Sequence, residues 1–220
     1  MYCDIVIPNN NEEQFIKIAE ALSYKSLCFL YSLENFVKKK SFQETTRLHI
    51  FSAIIASKKD FSKAKKFPAL VIYEADSADN RQLIENEKPA AIINLERFER
   101  KDTIKQRSSG LNNVLAELMV KNKILLAFSL QNIKSNDEDY LGRVMQNISL
   151  AQKHKLNCII ASFAVHPYQM KNPKDIVSFF VTLGMNESSA KQSLENVYFR
   201  YKLNKTKSEG KIIADGIEEV

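Results

Sequence analysis

The chain has little glycine and little histidine. Only five of its 220 residues are glycine, and neither the GxGxxG nor the GxxxxGK[ST] phosphate-binding pattern occurs. The GxSxG pattern of serine hydrolases is absent as well. The three histidines lie far apart, without an HxH or HxxxH pair. These absences exclude the usual nucleotide cradles and a histidine-rich metal cluster.

Cysteine and long apolar runs are also scarce. The three cysteines, Cys3, Cys28 and Cys158, form no CxxC pair, and their odd number argues against a disulfide framework. We expect them to be reduced and buried. No apolar run approaches the roughly 18–20 residues of a membrane span. The start of the chain lacks the basic region and apolar stretch of a signal peptide, so we expect a cytoplasmic protein with no membrane partner.

The charge balance is basic. The formal net charge is +6 and the pI is about 9.1, which is compatible with a polyanionic partner such as a nucleic acid. Lysine outnumbers arginine 25 to 7, however, and such usage can reflect the base composition of a genome. Charge alone therefore leaves nucleic-acid binding open.

Short apolar runs alternate with helical patterns over most of the chain. The predicted strands are Cys3–Ile7, Leu27–Tyr31, His49–Ala56, Ala69–Tyr73, Ala90–Leu95, Ile124–Leu130 and Asn157–Ala161. Helical spacing of apolar residues separates them, most clearly over Asp137–Lys155. This alternation predicts an α/β protein with a parallel sheet, and an open sheet and a closed barrel fit it equally well.

The last third of the chain is predicted to be mainly helical. Asn172 and Pro173 are typical of a helix start, and Gly184 of a helix end. A final strand is predicted at Val197–Tyr201. We place one domain at residues 1–203, followed by a Lys-rich tail at 204–220 whose composition is compatible with disorder.

Two catalytic arrangements are conceivable. Glu74, Asp76 and Glu96 follow predicted strands and could form an all-carboxylate Mg²⁺ site, although solvated rim charges are the simpler interpretation. Ser162 ends a strand, with His166 four residues later. A serine–histidine relay also needs an orienting acid and an oxyanion hole, and neither is evident. Cys158 is expected in the core and His166 at the surface, so we predict no catalytic residue.

Several stretches together carry a resemblance to a known family. They are DIVIP (residues 4–8), IAEALSYKSLCFLYSL (18–33), RSSGLNNVLAELMVKNKILLAFSL (107–130), GRVMQNISLAQKHKLNCIIASFA (142–164) and MKNPKDIVSFFVTLGM (170–185). In this order the chain resembles archaeal ribonuclease P protein component 3, the thirty-kilodalton-subunit family. The most specific parts are an Arg…Asn helix, a strand that ends in Ser-x-Ala, and a basic residue before x-Pro-x-Asp.

The resemblance implies a TIM-barrel-like (β/α) fold and a role as one protein subunit of a ribonucleoprotein. In that enzyme the RNA subunit removes the 5′ leader of precursor tRNA with Mg²⁺, so no cofactor is expected on this chain. The implied partners are the ribonuclease P RNA and protein component 2, with precursor tRNA met indirectly.

The motifs carry six residues over as candidate RNA or partner contacts. They are Arg107, Arg143, Asn147, Lys153, Ser162 and Lys171. Lys171 stands where the family usually has arginine, which loses a bidentate fork. Asn113 stands where the family often has histidine. For any single lysine, a solvated surface charge is the simpler interpretation, and for Arg143 it is an ion pair with Glu138 or Asp139.

Two other functions remain as alternatives. One is a metal-dependent phosphoesterase on the same barrel, and the other is a non-catalytic barrel that only binds proteins. The dense basic run Lys58–Lys66 is expected to be a solvated segment first and an RNA contact second.

Overall fold

The structure is a computed structural model, which describes residues 1–38, 46–75, 80–97, 102, 107–133, 138–208, 212–214 and 217–218. Its main sheet is parallel, and its strands follow one another in chain order. The strands are β1 Cys3–Val6, β2 Ser26–Ser32, β3 His49–Ala56, β4 Leu70–Glu74, β5 Ala91–Ile93, β6 Leu125–Ser129 and β7 Cys158–Ala161. All seven strands predicted from the alternating apolar runs before residue 162 are present.

Helices lie between the strands and after the last of them. They are α1 Glu12–Ala21, α2 Leu33–Lys38, α3 Phe61–Ala64, α4 Asn113–Lys121, α5 Glu138–Lys153, α6 Pro173–Thr182, α7 Glu187–Ser193 and α8 Asn196–Ser208. A π-helical turn lies at Leu83–Glu87, between β4 and β5. The predicted capping is confirmed, because the Asn172 side chain accepts a hydrogen bond from the Lys174 N–H and Gly184 follows α6 with φ +100°.

The sheet curls into a nearly closed barrel. Val6 at the end of β1 bridges Ala164 just beyond β7, and the Ile7 N–H donates to the Ala164 carbonyl at 2.8 Å. We call this join between the first and seventh strands the seam. The TIM-barrel-like α/β fold implied by the resemblance is therefore confirmed, and the open sheet is excluded.

Alternate residues of each strand face the inside and the outside of the barrel. The interior includes Ile5, Cys28, Ala53 and Ile159, and a second set of buried residues packs the strands against the helices. The three cysteines are free and buried, as predicted. None of the helices in the described ranges is long and apolar enough to cross a membrane.

The strand predicted at Val197–Tyr201 is wrong, because these residues lie in helix α8. Val197 and Tyr198 pack against the barrel interior, and Tyr201 stacks on Phe51 at 4.3 Å. The helix thus covers the end of the barrel at which the strands begin. It also runs past position 203, so the domain boundary that we placed there falls within a helix. Beyond it, β8 Ile212–Ala214 pairs with β9 Ile217–Glu218.

Candidate nucleic-acid interface

Asp102 lies between two arginines that the sequence motifs single out. The Arg143 Nε donates to Asp102 Oδ1 at 3.0 Å, and the Arg107 Nη1 lies 3.3 Å from Oδ2. The Ser108 N–H also donates to Oδ1, at 2.7 Å. Burial would raise the pKa of Asp102, but the Ser108 hydrogen bond and the two arginines outweigh it and lower the pKa. Asp102 is therefore a charged anchor, and its partnership with Arg143 spans 41 positions of sequence.

Arg107 forms the exposed edge of this arrangement. Its Nη1 also lies 3.2 Å from Asp139 Oδ1, and its side chain is 43% exposed. We call Asp102, Arg107, Asp139 and Arg143 the arginine cluster. Its two positive and two negative formal charges cancel. The arginines are thus held in a network whose formal charges are balanced.

Gly142 provides the space in which the Arg107 side chain lies. A Cβ at this position would come within 2.5 Å of Arg107 Cζ and Nε, so a larger side chain would have to displace the guanidinium. The glycine lies in the first half of α5, where it costs helix stability. The Gly-Arg pair of the motif therefore contributes to the cluster in two ways. Gly142 leaves space for the Arg107 side chain, and the next residue is Arg143 itself.

Helix α5 also holds the backbone next to Arg107. The Arg107 N–H donates to Gln146 Oε1 at 3.0 Å, while Gln146 Nε2 donates to the Arg107 carbonyl at 2.9 Å. The buried Asn147 amide donates to the Ser109 carbonyl at 2.9 Å and to Glu96 Oε1 at 3.2 Å. Asn147 is a buried clamp in this structure and not an exposed contact.

Glu96 lies beneath the cluster, only 1% exposed. Its burial raises the pKa of the carboxyl to about 7, against the lowering effect of hydrogen bonds from its own backbone N–H and from Asn147. Arg143 Nη1 lies 3.4 Å from the Glu96 carbonyl. Glu96 therefore ties the turn after β5 to α5, and it changes protonation state near neutral pH.

The carboxylates proposed for a Mg²⁺ site have other partners. Glu74 Oε1 accepts a hydrogen bond from the Asn94 amide at 2.9 Å, and Asn94 in turn accepts one from Asn132 at 2.7 Å. Glu96 is occupied by Asn147, and Asp76 lies outside the described residues. Within the ranges that the structure describes, no group of three or more His, Cys, Asp or Glu side chains could hold a metal ion.

Ser162 lies at the seam, 2% exposed. Its N–H donates to Asp4 Oδ1 and its hydroxyl to Asp4 Oδ2, both at 2.7 Å. Burial raises the pKa of Asp4 to about 6, although the hydrogen bonds from Ser162 and Ile5 oppose this. The hydroxyl is thus used inside the protein, and the structure gives Ser162 a partner in β1 instead of an external one.

The loop after β7 is anchored at one end and exposed in the middle. The Tyr24 hydroxyl donates to the Lys171 carbonyl at 2.8 Å, while the Lys171 side chain is exposed. Tyr168 is 79% exposed and stacks on the ring of His166, with centroids 5.5 Å apart. Cys158, earlier in this segment, is buried, and its burial together with the nearby Glu96 raises its pKa to about 12.

Lys153 does not belong to the arginine cluster. It is exposed at the end of α5, roughly 15 Å along the helix from Arg143 at 1.5 Å per residue. Its Nζ donates to Asn113 Oδ1 at 3.0 Å, and the His154 ring also contacts that oxygen. The motif residues are therefore distributed over three places: the cluster, the seam with its following loop, and the far end of α5.

Sequence reasoning missed Asp102, Gln146 and the buried state of Glu96. Each of them has a partner 39 to 51 positions away, and the sequence around each residue gives no sign of such a pairing. Tyr168 was missed because a single tyrosine in a polar loop forms no recognisable sequence pattern.

Four exposed lysines form no ion pair with the residues that the structure describes: Lys58, Lys59, Lys63 and Lys66.

Comparison with known proteins gives consistent matches. The family described as RNase P subunit p30 matches residues 1–206. Ribonuclease P protein component 3 of Methanocaldococcus jannaschii is 25% identical, over 85% of this chain and 84% of that protein. The protein of the same name from Methanosarcina mazei is 22% identical, over 89% of this chain and 85% of that protein.

A solved structure shares the fold along the whole chain. It is a chain in the cryo-EM structure of archaeal ribonuclease P with mature tRNA. The TM-score is 0.78 at 23% identity, with 99% of this chain and 97% of that chain covered. At this identity the likeness supports the barrel fold alone.

Proposed function

This chain belongs to the RNase P subunit p30 family, and on that premise we propose that it binds the ribonuclease P RNA together with protein component 2 and supplies no catalytic group of its own. It is a subunit of the enzyme that cleaves precursor tRNA. The main support for the proposal is the family match over residues 1–206. Mg²⁺ would be used by the RNA subunit, with precursor tRNA met through the complex.

Charge supports RNA as the direct partner. The exposed lysines at positions 58, 59, 63 and 66 lack ion pairs with the described residues, so their charges are available to phosphates. Lysines that neutralise RNA phosphates release counterions, which makes binding strong at low salt and weak at high salt. The arginine cluster, being neutral overall, would contribute shape and hydrogen bonds more than net charge.

The six motif residues divide by exposure into two roles. Arg107, Lys153 and Lys171 are exposed, and we assign them direct contacts with RNA or a protein partner. Arg143 is 13% exposed, and Asn147 and Ser162 are buried. These three are positioning residues: the first two fix the loop that carries Arg107, and Ser162 fixes the start of the loop that carries Lys171.

The loop after β7 adds an aromatic surface to these charges. RNA is read mainly through its shape, its backbone and unstacked bases, and such bases stack on exposed aromatic side chains. Tyr168 presents a ring supported from behind by His166, with Lys171 close in sequence to meet a phosphate. We assign this loop to an unpaired nucleotide of the RNA.

The phosphoesterase alternative has no support from the described carboxylates. Glu74 and Glu96 accept hydrogen bonds from amide side chains, and Glu96 is buried with a pKa near 7. A catalytic Mg²⁺ site needs ionised oxygens that are free to coordinate the metal. The scaffold alternative predicts no RNA binding by the chain, so it is decided by the experiment below.

The test is reconstituted cleavage of precursor tRNA at limiting Mg²⁺. The catalytic RNA is assayed alone, then with component 2, and then with component 2 and this chain. We expect the complete set to cleave fastest, and Arg107→Ala and Arg143→Ala to weaken the gain. Arg81→Ala is the matched control, because Arg81 is an exposed arginine in an ion pair with Glu85, outside the cluster.

Two results would reject the proposal. In the first, this chain cuts RNA by itself when a metal is added. In the second, it binds component 2 but neither binds the RNA nor changes cleavage, which would favour the scaffold.

A further inference from the structure

A basic site lies at the opposite end of the barrel from the carboxyl ends of the strands. Residues just before β4 and β5, together with helix α8, enclose a partly open cavity of about 250 Å³. Its polar lining consists of Lys65, Lys88, Asn122, Arg200 and Asn204. We call this cavity the basal pocket. It shares no residue with the arginine cluster or with the loop after β7.

The charge of the basal pocket is unbalanced. Three of its lining side chains are cationic and none is acidic. Lys65 is partly compensated by Glu87, whose carboxylate lies 3.1 Å from its Nζ. Lys88 and Arg200 form no ion pair with the described residues. A concave surface lined with one sign of charge concentrates its field and attracts small ions of the opposite sign.

The guanidinium of Arg200, in the lining of the basal pocket, has an unsatisfied hydrogen-bond donor. Its Nε is buried and has no hydrogen-bond partner among the described residues. Burial also lowers the pKa of its guanidinium, as expected for a cation without a counter-charge nearby. A buried N–H group of a charged side chain is costly to leave unsatisfied, so the Arg200 guanidinium would gain from a bound anion that accepts hydrogen bonds from it.

We infer that the basal pocket binds a phosphate group, held by Arg200 and Lys88 with Lys65 and the two asparagine amides around it. A guanidinium matches phosphate oxygens with paired N–H donors, and a lysine adds a point charge. Two sources share this chemistry: a backbone phosphate of RNA, and free inorganic phosphate. The RNA source rests on the proposed function, whereas the phosphate site itself does not.

The first arm of the test uses inorganic phosphate and the full chain. The Arg200 Nε–H resonance is followed by NMR while phosphate replaces chloride at constant ionic strength. We expect a saturable shift of this resonance. In Lys88→Gln the affinity should fall about tenfold, the loss typical of one charge-assisted hydrogen bond. No saturable shift, or a shift unchanged in Lys88→Gln, would overturn the inference.

Lys155→Gln is the matched control. Lys155 is an exposed lysine with φ +55°, close to the +50° of Lys88, and it also precedes a strand at the same end of the barrel. It does not line the basal pocket. The two variants therefore remove the same charge from similar backbone, and only Lys88→Gln should change phosphate binding.

The second arm identifies the source of the phosphate with the ribonuclease P RNA as probe. If RNA occupies the pocket, Lys88→Gln lowers the slope of log affinity against log salt by about one, and inorganic phosphate competes for the Arg200 resonance. If Lys88→Gln leaves the salt dependence of RNA binding unchanged and RNA does not shift the Arg200 Nε–H resonance, the pocket is assigned to free phosphate. If the RNA binds neither the chain nor its complex with component 2, the proposed function fails, and the first arm still decides the pocket.

Discussion

Ser162 donates two hydrogen bonds of 2.7 Å to Asp4, one from its N–H and one from its hydroxyl, and so joins the end of the seventh strand to the first. The pair is buried and separated by 158 positions of sequence. Because one backbone bridge, at Val6 and Ala164, joins the seam in the part of the chain that the structure describes, this side-chain contact supplies much of its specificity.

Ser162→Ala is expected to destabilise the protein by about 1–3 kcal/mol, since it leaves a buried carboxyl with one hydrogen bond fewer. Urea unfolding measures the loss. Ser129→Ala is the control, because Ser129 is also a buried serine but its hydroxyl has no hydrogen-bond partner among the described residues. That variant should be neutral or slightly stabilising. Equal losses in the two variants would show that the Asp4 contact adds nothing.

Glu96 is expected to make stability depend on pH between about 4.5 and 7. Its pKa is higher in the folded chain, about 7, than the 4.5 of the free group, so folding favours the protonated form. The contribution of Glu96 is therefore full below pH 4.5 and is lost as pH rises through 7. At about 1.4 kcal/mol per pKa unit, it amounts to at most about 3 kcal/mol.

Glu96→Gln should remove this dependence and be the more stable form at pH 8. Urea unfolding of both proteins from pH 4 to pH 8 provides the measurement. Asp4, whose pKa is raised to about 6, leaves a smaller dependence of the same sign in the variant. Parallel profiles for the two proteins would mean that the pKa of Glu96 does not differ between the folded and the unfolded chain.

Gly142→Ala should displace Arg107 without unfolding α5. Alanine favours a helix by about 1 kcal/mol over glycine, which offsets the cost of moving a flexible side chain. We expect little change in the free energy of unfolding, but a loss of reconstituted cleavage similar to that of Arg107→Ala. The double variant should lose no more than either single variant, because both act on one side chain. Additive losses would separate Gly142 from Arg107.

Tyr168→Ala should weaken RNA binding by about 1–3 kcal/mol, the range for loss of one stacked base. Tyr168→Phe retains the ring and should bind like the unchanged protein. The side chain is 79% exposed, so both variants should keep their stability within about 0.5 kcal/mol. Equal affinity of Tyr168→Ala and the unchanged protein would remove this loop from the RNA contact.

The strands could be predicted because each is a short apolar run, buried on both faces in the barrel. Periodicity could not distinguish the barrel from an open sheet, since closure depends on contacts between β1 and the residues after β7. The error at Val197–Tyr201 has a clear cause. Valine and three aromatics favour a strand locally, but the packing of Val197 and Tyr198 against the barrel interior determines the helix.

The candidate site was predicted only in part. Motif resemblance identified Arg107 and Arg143, but it did not indicate the neutral network in which the structure holds them. The difference is Asp102, whose partner Arg143 lies 41 positions away in helix α5. Buried carboxyls such as Asp4 and Glu96 look like surface charges in a sequence, because burial is a property of the tertiary structure.

The position of α8 has a consequence for the order of folding. All seven strands precede this helix in the chain, yet Val197 and Tyr198 complete the packing inside the barrel. During synthesis, the apolar end of the barrel that α8 covers is therefore exposed to water until the helix has been made. A nascent chain stopped before residue 196 should bind chaperones that recognise apolar surface, and extension through residue 208 should release it.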